Sequence, residues 1–203
     1  MVHGKASHAG FAPEAGISAV KAAAEAVSAI PIGHTDADTT VAVDIMKGGL
    51  ATNIVPETCT VEGEIRSYFD EKANAALEKV KKAFEEACAR YGAGLDFEVE
   101  KRAAAYHFAQ DAPIVGRFSQ ACRFCGLEPQ LVETFGGSDA NTCAERGIPS
   151  LVVANGMHRI HTTDEFTTLD DMEAACRLIL ALAAPTLSPS MQGKDSFGSL
   201  KSI

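Results

Sequence analysis

The chain has 203 residues, enough for one large domain or two small ones, and 46% of them are hydrophobic, as in a globular protein. Its formal net charge of −9 argues against nucleic acid or an anionic membrane surface as a partner. No apolar run approaches the ~18 residues of a membrane span, and the N-terminus lacks an apolar signal core, so we expect a cytoplasmic protein that does not contact a membrane.

The six cysteines lie at apolar positions, which predicts buried thiols in a reducing cytoplasm rather than a disulfide framework. Cys122 and Cys125 form a C-x-x-C pair. Because no second pair accompanies it and it falls in a helical pattern, structural packing is favoured over metal or redox use.

The first half of the chain predicts a small α+β domain. Residues 1–10 form a short stub rich in histidine and glycine. The predicted elements that follow are a helix over 14–30, a turn over 31–38, strands over 39–46 and 58–67, a helix over 71–91 that Gly92 ends, and a strand over 95–99. In the strand over 39–46, Val41, Val43 and Ile45 are expected on one side. With its first strand truncated, this order is the ferredoxin-like β-α-β-β-α-β pattern.

The second half predicts a different, α/β unit in which helices alternate with short apolar strands. The predicted elements are a helix from Asp111 to Gly126, a strand over 129–134, a short helix that Gly147 ends, a strand over 150–154 and a helix that begins at Thr168 with Asp171 in a partial capping box. The tail over 185–203 is rich in serine, proline and glycine and predicts disorder.

A glycine loop lies between the two predicted strands of this unit. Gly136 and Gly137 allow a positive φ and a close approach of the backbone to a ligand. Ser138 or Asp139 can cap the short helix, which would leave backbone N–H groups free to hold an anion. On spacing alone, an ordinary glycine loop followed by surface histidines is an equally good interpretation.

Three separated runs in this region resemble a known signature. They are Gly-Gly-Ser-Asp-Ala-Asn at 136–141, Gly-Ile-Pro-Ser at 147–150 and His-Thr-Thr-Asp-Glu at 161–165. Together they are similar to the C-terminal signature of the zinc-dependent peptidase T and carboxypeptidase G superfamily, in particular its peptidase T-like branch. The resemblance extends over residues 1 to about 184. It implies a ferredoxin-like lid followed by an incomplete α/β, zinc-exopeptidase-like catalytic segment, and metal-dependent hydrolysis of short peptides with a pair of zinc ions.

The resemblance also implies roles for individual residues. His161 matches the family's late metal-ligand histidine, and the loop of Gly136, Gly137, Ser138 and Asp139 matches one that lines the substrate site. His8, in Ser-His-Ala-Gly, matches a lid histidine that often reaches across a dimer and donates a hydrogen bond to the oxygen that becomes negative in the tetrahedral intermediate.

Two further residues of the lid match substrate contacts of the family. Asn53, in Ala-Thr-Asn-Ile-Val-Pro-Glu, would contact substrate; an Asx turn before Pro56 is the alternative. Arg66 would bind the terminal carboxylate of the substrate, a task that suits the guanidinium group. Its alternative is a solvent-exposed ion pair with Glu62 or Glu64. His158 is a weak candidate for a second metal ligand, since the family pattern does not use that position.

The chain departs from the family because it lacks the His-x-Asp motif, the bridging aspartate and the Glu-Glu pair that precede the lid. We therefore expect a lid and dimerisation domain over 1–106, the C-terminal part of a catalytic domain over 107–184, and a disordered tail. This chain alone is expected to be inactive, to bind zinc weakly at most, and to form a homodimer through the lid. The alternatives are a non-catalytic dimerisation or partner-binding module and an N-acyl-amino-acid amidohydrolase of the same superfamily.

Overall fold

A computed structural model describes residues 1–184 and Thr186. The chain forms two compact units, Met1–Ala105 and a second unit that begins at Tyr106. The sequence-based boundary after residue 106 is adjacent to this division. The predicted disordered tail lies outside the described residues except at Thr186. None of the helices in the described part is long and apolar enough to cross a membrane.

The first unit is a five-stranded antiparallel sheet with two helices. Its elements are β1 (Val2–His3), α1 (Ala19–Ala29), β2 (Gly33–Asp36), β3 (Thr39–Gly48), β4 (Thr58–Ser67), α2 (Asp70–Tyr91) and β5 (Gly94–Leu95), with a 3-10 turn at Pro13–Ala15. The strands lie in the order β2-β3-β4-β1-β5. Without β2, this is the strand order of the predicted ferredoxin-like fold, with β1 reduced to two residues between β4 and β5.

Each of the two helices buries one face. Four alanines of α1 are almost fully buried: Ala19, Ala22, Ala23 and Ala26. In α2, Phe84 and Cys88 are buried, and Val80 and Tyr91 pack against the same core. Gly92 ends α2 in the left-handed conformation with φ 68°, as predicted from its position after the last apolar residue. The core of this unit thus lies between the helices and one face of the sheet.

Three details of the sheet differ from the predictions. The strand predicted over 95–99 is only Gly94–Leu95 in the structure. Residues 33–36, predicted as part of a turn, form the edge strand β2, which pairs with β3 through Gly33–Val41 and His34–Thr40. Short polar segments lack the apolar alternation that signals a strand, so only pairing reveals it. In addition, the register of β3 on β4 shifts between Val43 and Ile45. This β-bulge reverses the alternation, and Ile45 is 37% exposed rather than buried with Val41.

The second unit contains three helices: α3 (Pro113–Phe124), α4 (Asp139–Glu145) and α5 (Leu169–Ala183). The predicted strands over 129–134 and 150–154 are wrong for the described structure, because neither segment pairs with a neighbour there. An apolar run favours an extended backbone but forms a strand only with a hydrogen-bonded partner. The core of this unit is small and consists of Ala121, Cys122, Leu178 and Ala181, with partly buried residues around them.

All six cysteines are free thiols, and Cys59, Cys88 and Cys122 are buried. Cys125 and Cys143 are only half-buried and Cys176 is exposed, so the expectation of buried thiols throughout was wrong at these three positions. Cys176 lies on α5, whose apolar stripe is only partly covered. Burial raises the pKa of the Cys122 and Cys125 thiols, which fits structural packing of the C-x-x-C pair.

Candidate active site

The segment that carries His8 lies between two other segments of the first unit. On one side, Lys5 and Ile17 exchange both backbone hydrogen bonds, at 2.8 and 2.9 Å. On the other side, the amide of Val55 donates to the carbonyl of Ser7 at 2.9 Å, and the amide of Ala9 donates to the carbonyl of Asn53 at 2.9 Å. The histidine is therefore held in a short antiparallel arrangement, opposite Ile54.

The imidazole of His8 is oriented by its own loop. The backbone amides of Gly10 and Phe11 donate to Nδ1 at 3.1 and 3.2 Å. The ring also stacks on Phe11, with 4.2 Å between ring centroids. A neutral imidazole whose Nδ1 accepts hydrogen bonds carries its proton on Nε2. No described residue accepts a hydrogen bond from Nε2, so this N–H is available to a ligand.

Asn53 is an exposed residue on the segment that pairs with His8. Its backbone carbonyl accepts from Ala9, while the Asx turn before Pro56 is not formed: among the described contacts, its side chain makes no hydrogen bond. The structure therefore brings His8 and Asn53 together on adjacent extended segments. Phe11 completes this group. Its proximity was not predicted, although an aromatic residue three positions after a histidine in a glycine-containing loop is a usable signal.

Arg66 lies near the other end of β4, opposite Thr40 of β3. Its Nε and Nη2 donate to the two carboxylate oxygens of Glu64 at 2.7 and 3.0 Å. This hydrogen bonding raises the pKa of the Arg66 guanidinium. The ion pair expected under the alternative interpretation is thus formed. Both side chains are about half exposed, at 44% and 51%, so a ligand carboxylate can compete with Glu64 for the guanidinium.

The glycine loop differs from the expectation of an open anion site. Ser138 caps α4 in a capping box: its Oγ accepts from the amide of Ala140 at 3.2 Å, and its own amide donates to Asn141 Oδ1 at 2.9 Å. These bonds satisfy N–H groups that were expected to be free. Neither Gly136 nor Gly137 has a positive φ, and a Cβ on Gly137 would meet nothing within 4 Å. The loop, including Asp139, is exposed.

His161 lies in a closed loop over residues 158–166. His158 and Phe166 exchange backbone hydrogen bonds at 2.8 and 3.2 Å and close the base of the loop. His161 itself is left-handed, with φ 66°, and its amide donates to the Glu165 carboxylate at 2.8 Å. Its exposed imidazole has no partner among the described residues.

His158, the weaker metal candidate, has a structural contact instead. Its Nε2 lies 3.0 Å from Asp171 Oδ2, and the same carboxylate oxygen accepts from Thr168 Oγ1 at 2.6 Å. Thr168 caps α5 through the amide of Asp171, as the sequence predicts. The hydroxyl of Thr168, followed by His158, lowers the pKa of Asp171. Within residues 1–184, no group of three histidine, cysteine, aspartate or glutamate side chains is arranged to hold a metal ion.

The fold of the first unit identifies the class of domain to which it belongs. Residues 1–92 match the peptidase dimerisation domain family, with an antiparallel sheet and two helices as described above.

Relatives extend the match into the second unit. The chain is 35% identical over 181 residues to the uncharacterised protein YqjE of Bacillus subtilis (strain 168), covering 89% of this chain and 49% of the relative. It is 36% identical to aminopeptidase PepT from Bacillus cereus ATCC 10987, with a TM-score of 0.77, covering 89% of this chain and 48% of the other. A tripeptidase from Staphylococcus aureus subsp. aureus Mu50 is 29% identical, with a TM-score of 0.81 and the same coverage.

The first unit therefore carries the peptidase dimerisation domain, and over 89% of its length the chain resembles peptidase T-like proteins. It spans about half the length of the relatives it matches.

Proposed function

We propose that this chain is part of a cytoplasmic enzyme that hydrolyses short peptides, and that its first unit supplies substrate-binding groups and joins two protomers. The observation that carries this proposal is the fixed imidazole of His8, with Nδ1 occupied and Nε2–H exposed beside Asn53. The peptidase and tripeptidase names of the structural relatives support the reaction class.

The chemistry of peptide hydrolysis requires a donor of this kind. When water attacks the scissile carbonyl, its oxygen becomes negative, and a hydrogen-bond donor already aimed at that position stabilises the transition state. The Nε2–H of His8 is such a donor, and it needs no rearrangement of the ring because two backbone amides hold Nδ1. Asn53, on the neighbouring segment, would orient the substrate through its side-chain amide.

Arg66 cannot serve the same small substrate within one copy of the domain. From Thr58 to Arg66, β4 alone extends about 26 Å at ~3.3 Å per residue. An extended tripeptide spans about 10 Å. If His8 and Arg66 contact one peptide, they belong to different protomers. A dimerisation domain provides that arrangement, so the homodimer is part of the proposal.

For zinc, we propose only that His161 supplies one ligand of a site. A catalytic zinc ion requires about three protein ligands, and the described residues of this chain do not provide them together. The described residues therefore do not fit a zinc ion without further ligands. Calorimetry with zinc is expected to show weak binding to this chain. Tight stoichiometric binding that His161→Ala abolishes would contradict this expectation.

The test uses the protein expressed from its complete reading frame. His8→Ala should lower kcat for a tripeptide about 10²- to 10³-fold, the usual effect of removing an oxyanion donor. His34→Ala, which removes another exposed histidine of the same unit, is the matched control and should retain activity. Mixing His8→Ala with Arg66→Ala should restore part of the activity, because a mixed dimer contains one intact site.

Two outcomes would contradict the proposal. Unchanged kcat in His8→Ala would remove its catalytic role. No hydrolysis of any short peptide by the wild-type protein would favour the non-catalytic dimerisation module. If mixing restores nothing while the variants still form mixed dimers, the assignment of His8 and Arg66 to different protomers is wrong.

A further inference from the structure

The position of His8 depends on a close contact between two small residues, Ser7 and Gly16. A Cβ placed on Gly16 would lie 2.3 Å from Ser7 Oγ, and 3.0 Å from both the Lys5 carbonyl oxygen and Val55 Cγ1. Real Cβ atoms essentially never approach other atoms to 2.3 Å. Gly16 has φ −98° and ψ 164°, an extended conformation that any residue adopts. The requirement for glycine is therefore spatial.

The contact lies at the centre of the three segments that hold the histidine. Ser7 and Lys5 belong to the middle segment, Gly16 precedes Ile17 on one side, and Val55 belongs to the other side. Ser7 Oγ is buried and has no hydrogen-bond partner among the described residues. A buried hydroxyl without a partner is unfavourable. The serine at this position is therefore not explained by a hydrogen bond within the described structure.

We propose that Gly16 is a positioning residue for His8, because the absence of a side chain at Gly16 leaves room for the Ser7 segment. This inference rests on the proposed function. A methyl group on Gly16 would push the Ser7 segment away, and Ser7 is tied to Val55 through its carbonyl while Ala9 is tied to Asn53 through its amide. His8 lies between these two hydrogen bonds. Displacement of the segment would therefore move the imidazole from its place beside Asn53 and disturb the amides that donate to Nδ1.

The experiment compares Gly16→Ala, Ser7→Ala, the double variant and Gly116→Ala. Gly116 is the matched control because a Cβ there would meet nothing within 4 Å. The first readout is the ¹⁵N NMR pattern of the His8 ring in this chain, which reports the Nε2–H tautomer without any turnover. The second is kcat and KM for a tripeptide, measured on the protein from the complete reading frame.

Gly16→Ala should remove the single-tautomer pattern of His8 and lower kcat at least about tenfold, because small misplacements of a catalytic group are costly. KM should change less than kcat. Ser7→Ala alone should retain both signals, and the double variant should regain most of them, because Ser7→Ala removes the Oγ that a Cβ on Gly16 would meet at 2.3 Å. Gly116→Ala should match the wild type in both measurements.

A Gly16→Ala variant indistinguishable from wild type, or a double variant as impaired as the single one, would overturn the proposal. If Gly16→Ala does not fold, Ser7→Thr adds a methyl group to the same contact from the opposite side and should shift the ¹⁵N NMR pattern of the His8 ring. An unshifted pattern in Ser7→Thr would also overturn the proposal. If His8→Ala leaves kcat unchanged, the proposed function fails, while the NMR comparison still decides whether Gly16 positions the ring.

Discussion

The ion pair between Arg66 and Glu64 allows the two interpretations of Arg66 to be separated by experiment. The pair has good bidentate geometry, but both side chains are about half exposed. Exposed ion pairs contribute ~0–1 kcal/mol to folding stability. Arg66→Ala should therefore lower the free energy of unfolding by less than about 1 kcal/mol, and the variant should remain folded.

The effect on substrate binding should be larger if the guanidinium binds the terminal carboxylate. Hydrogen bonds to charged groups contribute ~1.5–3 kcal/mol, which corresponds to roughly 10- to 150-fold in KM at about 1.4 kcal/mol per tenfold. Arg66→Ala should raise KM by this factor for a tripeptide and change KM little for its C-terminal amide. Glu64→Gln, which removes the competing negative charge, should lower KM for the free tripeptide.

The assays are urea unfolding and steady-state kinetics on the two substrates. Arg102→Ala is the matched control, because Arg102 also pairs with a glutamate two residues earlier, at 3.1 Å, and is more exposed. It should leave both KM values unchanged. Equal losses on the free and amidated peptides would refute the reasoning and leave Arg66 with its structural pair alone. A KM that rises in Glu64→Gln would show that Glu64 helps to bind the substrate rather than competing with it.

Three further predictions concern the folded chain. Native thiol titration should modify exposed Cys176 first and Cys59 last, since burial raises the pKa of the Cys59 thiol and disfavours its thiolate; simultaneous modification would contradict this. The pKa of Asp171 is lowered in the folded chain, so its contribution to stability is present above its unfolded pKa of ~3.9 and is lost as the pH falls through its folded pKa. Asp171→Asn should therefore lower the free energy of unfolding more at pH 7 than at pH 3. At pH 7 it should also destabilise the fold more than Asp170→Asn does. In hydrogen exchange, amides of α2 should outlast those of 128–154, where α4 is the only helix described; equal protection would show that this segment has a core not seen here.

The ends of the helices could be predicted because their signals are local. Gly92 takes the left-handed conformation that ends α2, and Thr168 caps α5 through the amide of Asp171. Each requires only a few neighbouring residues and the geometry of a helix terminus. The ferredoxin-like order of the first unit follows from the same local patterns, since two helices and an alternating sheet have few ways to cover each other's apolar faces.

Features that depend on pairing between distant residues could not be predicted in this way. The bulge between Val43 and Ile45 depends on the register of β3 against β4, and Gly63 permits it, because a Cβ there would lie 2.3 Å from the Ala42 carbonyl oxygen. The extended segment over 150–154 has strand-like composition but no partner among the described residues. Composition indicates a tendency, whereas pairing requires a second segment at the right distance.

The candidate site shows the same difference between features that the local sequence predicts and features that depend on contacts between segments. His8 and Asn53 were selected by resemblance, and their roles stay predictions. Their adjacency, and the two amides on Nδ1 that determine the tautomer, follow from hydrogen bonds that no sequence pattern specifies. For the glycine loop, the sequence suggested free N–H groups, but Asn141 completes a capping box that occupies them. Whether the backbone N–H groups at the start of a helix are free depends on the side chain at its third position.

The alanine face of α1 has a consequence for the entropy of folding. Ala19, Ala22, Ala23 and Ala26 are 0–1% exposed, and an alanine side chain has no rotamers to restrict. Packing this face therefore costs almost no side-chain entropy when the chain folds. α1 begins three residues after Gly16, so the segment that carries His8 adjoins a helix with little internal freedom. The start of α1, and with it the chain that pairs with the His8 segment, is therefore fixed at a lower cost in side-chain entropy than a face of long, flexible side chains would require.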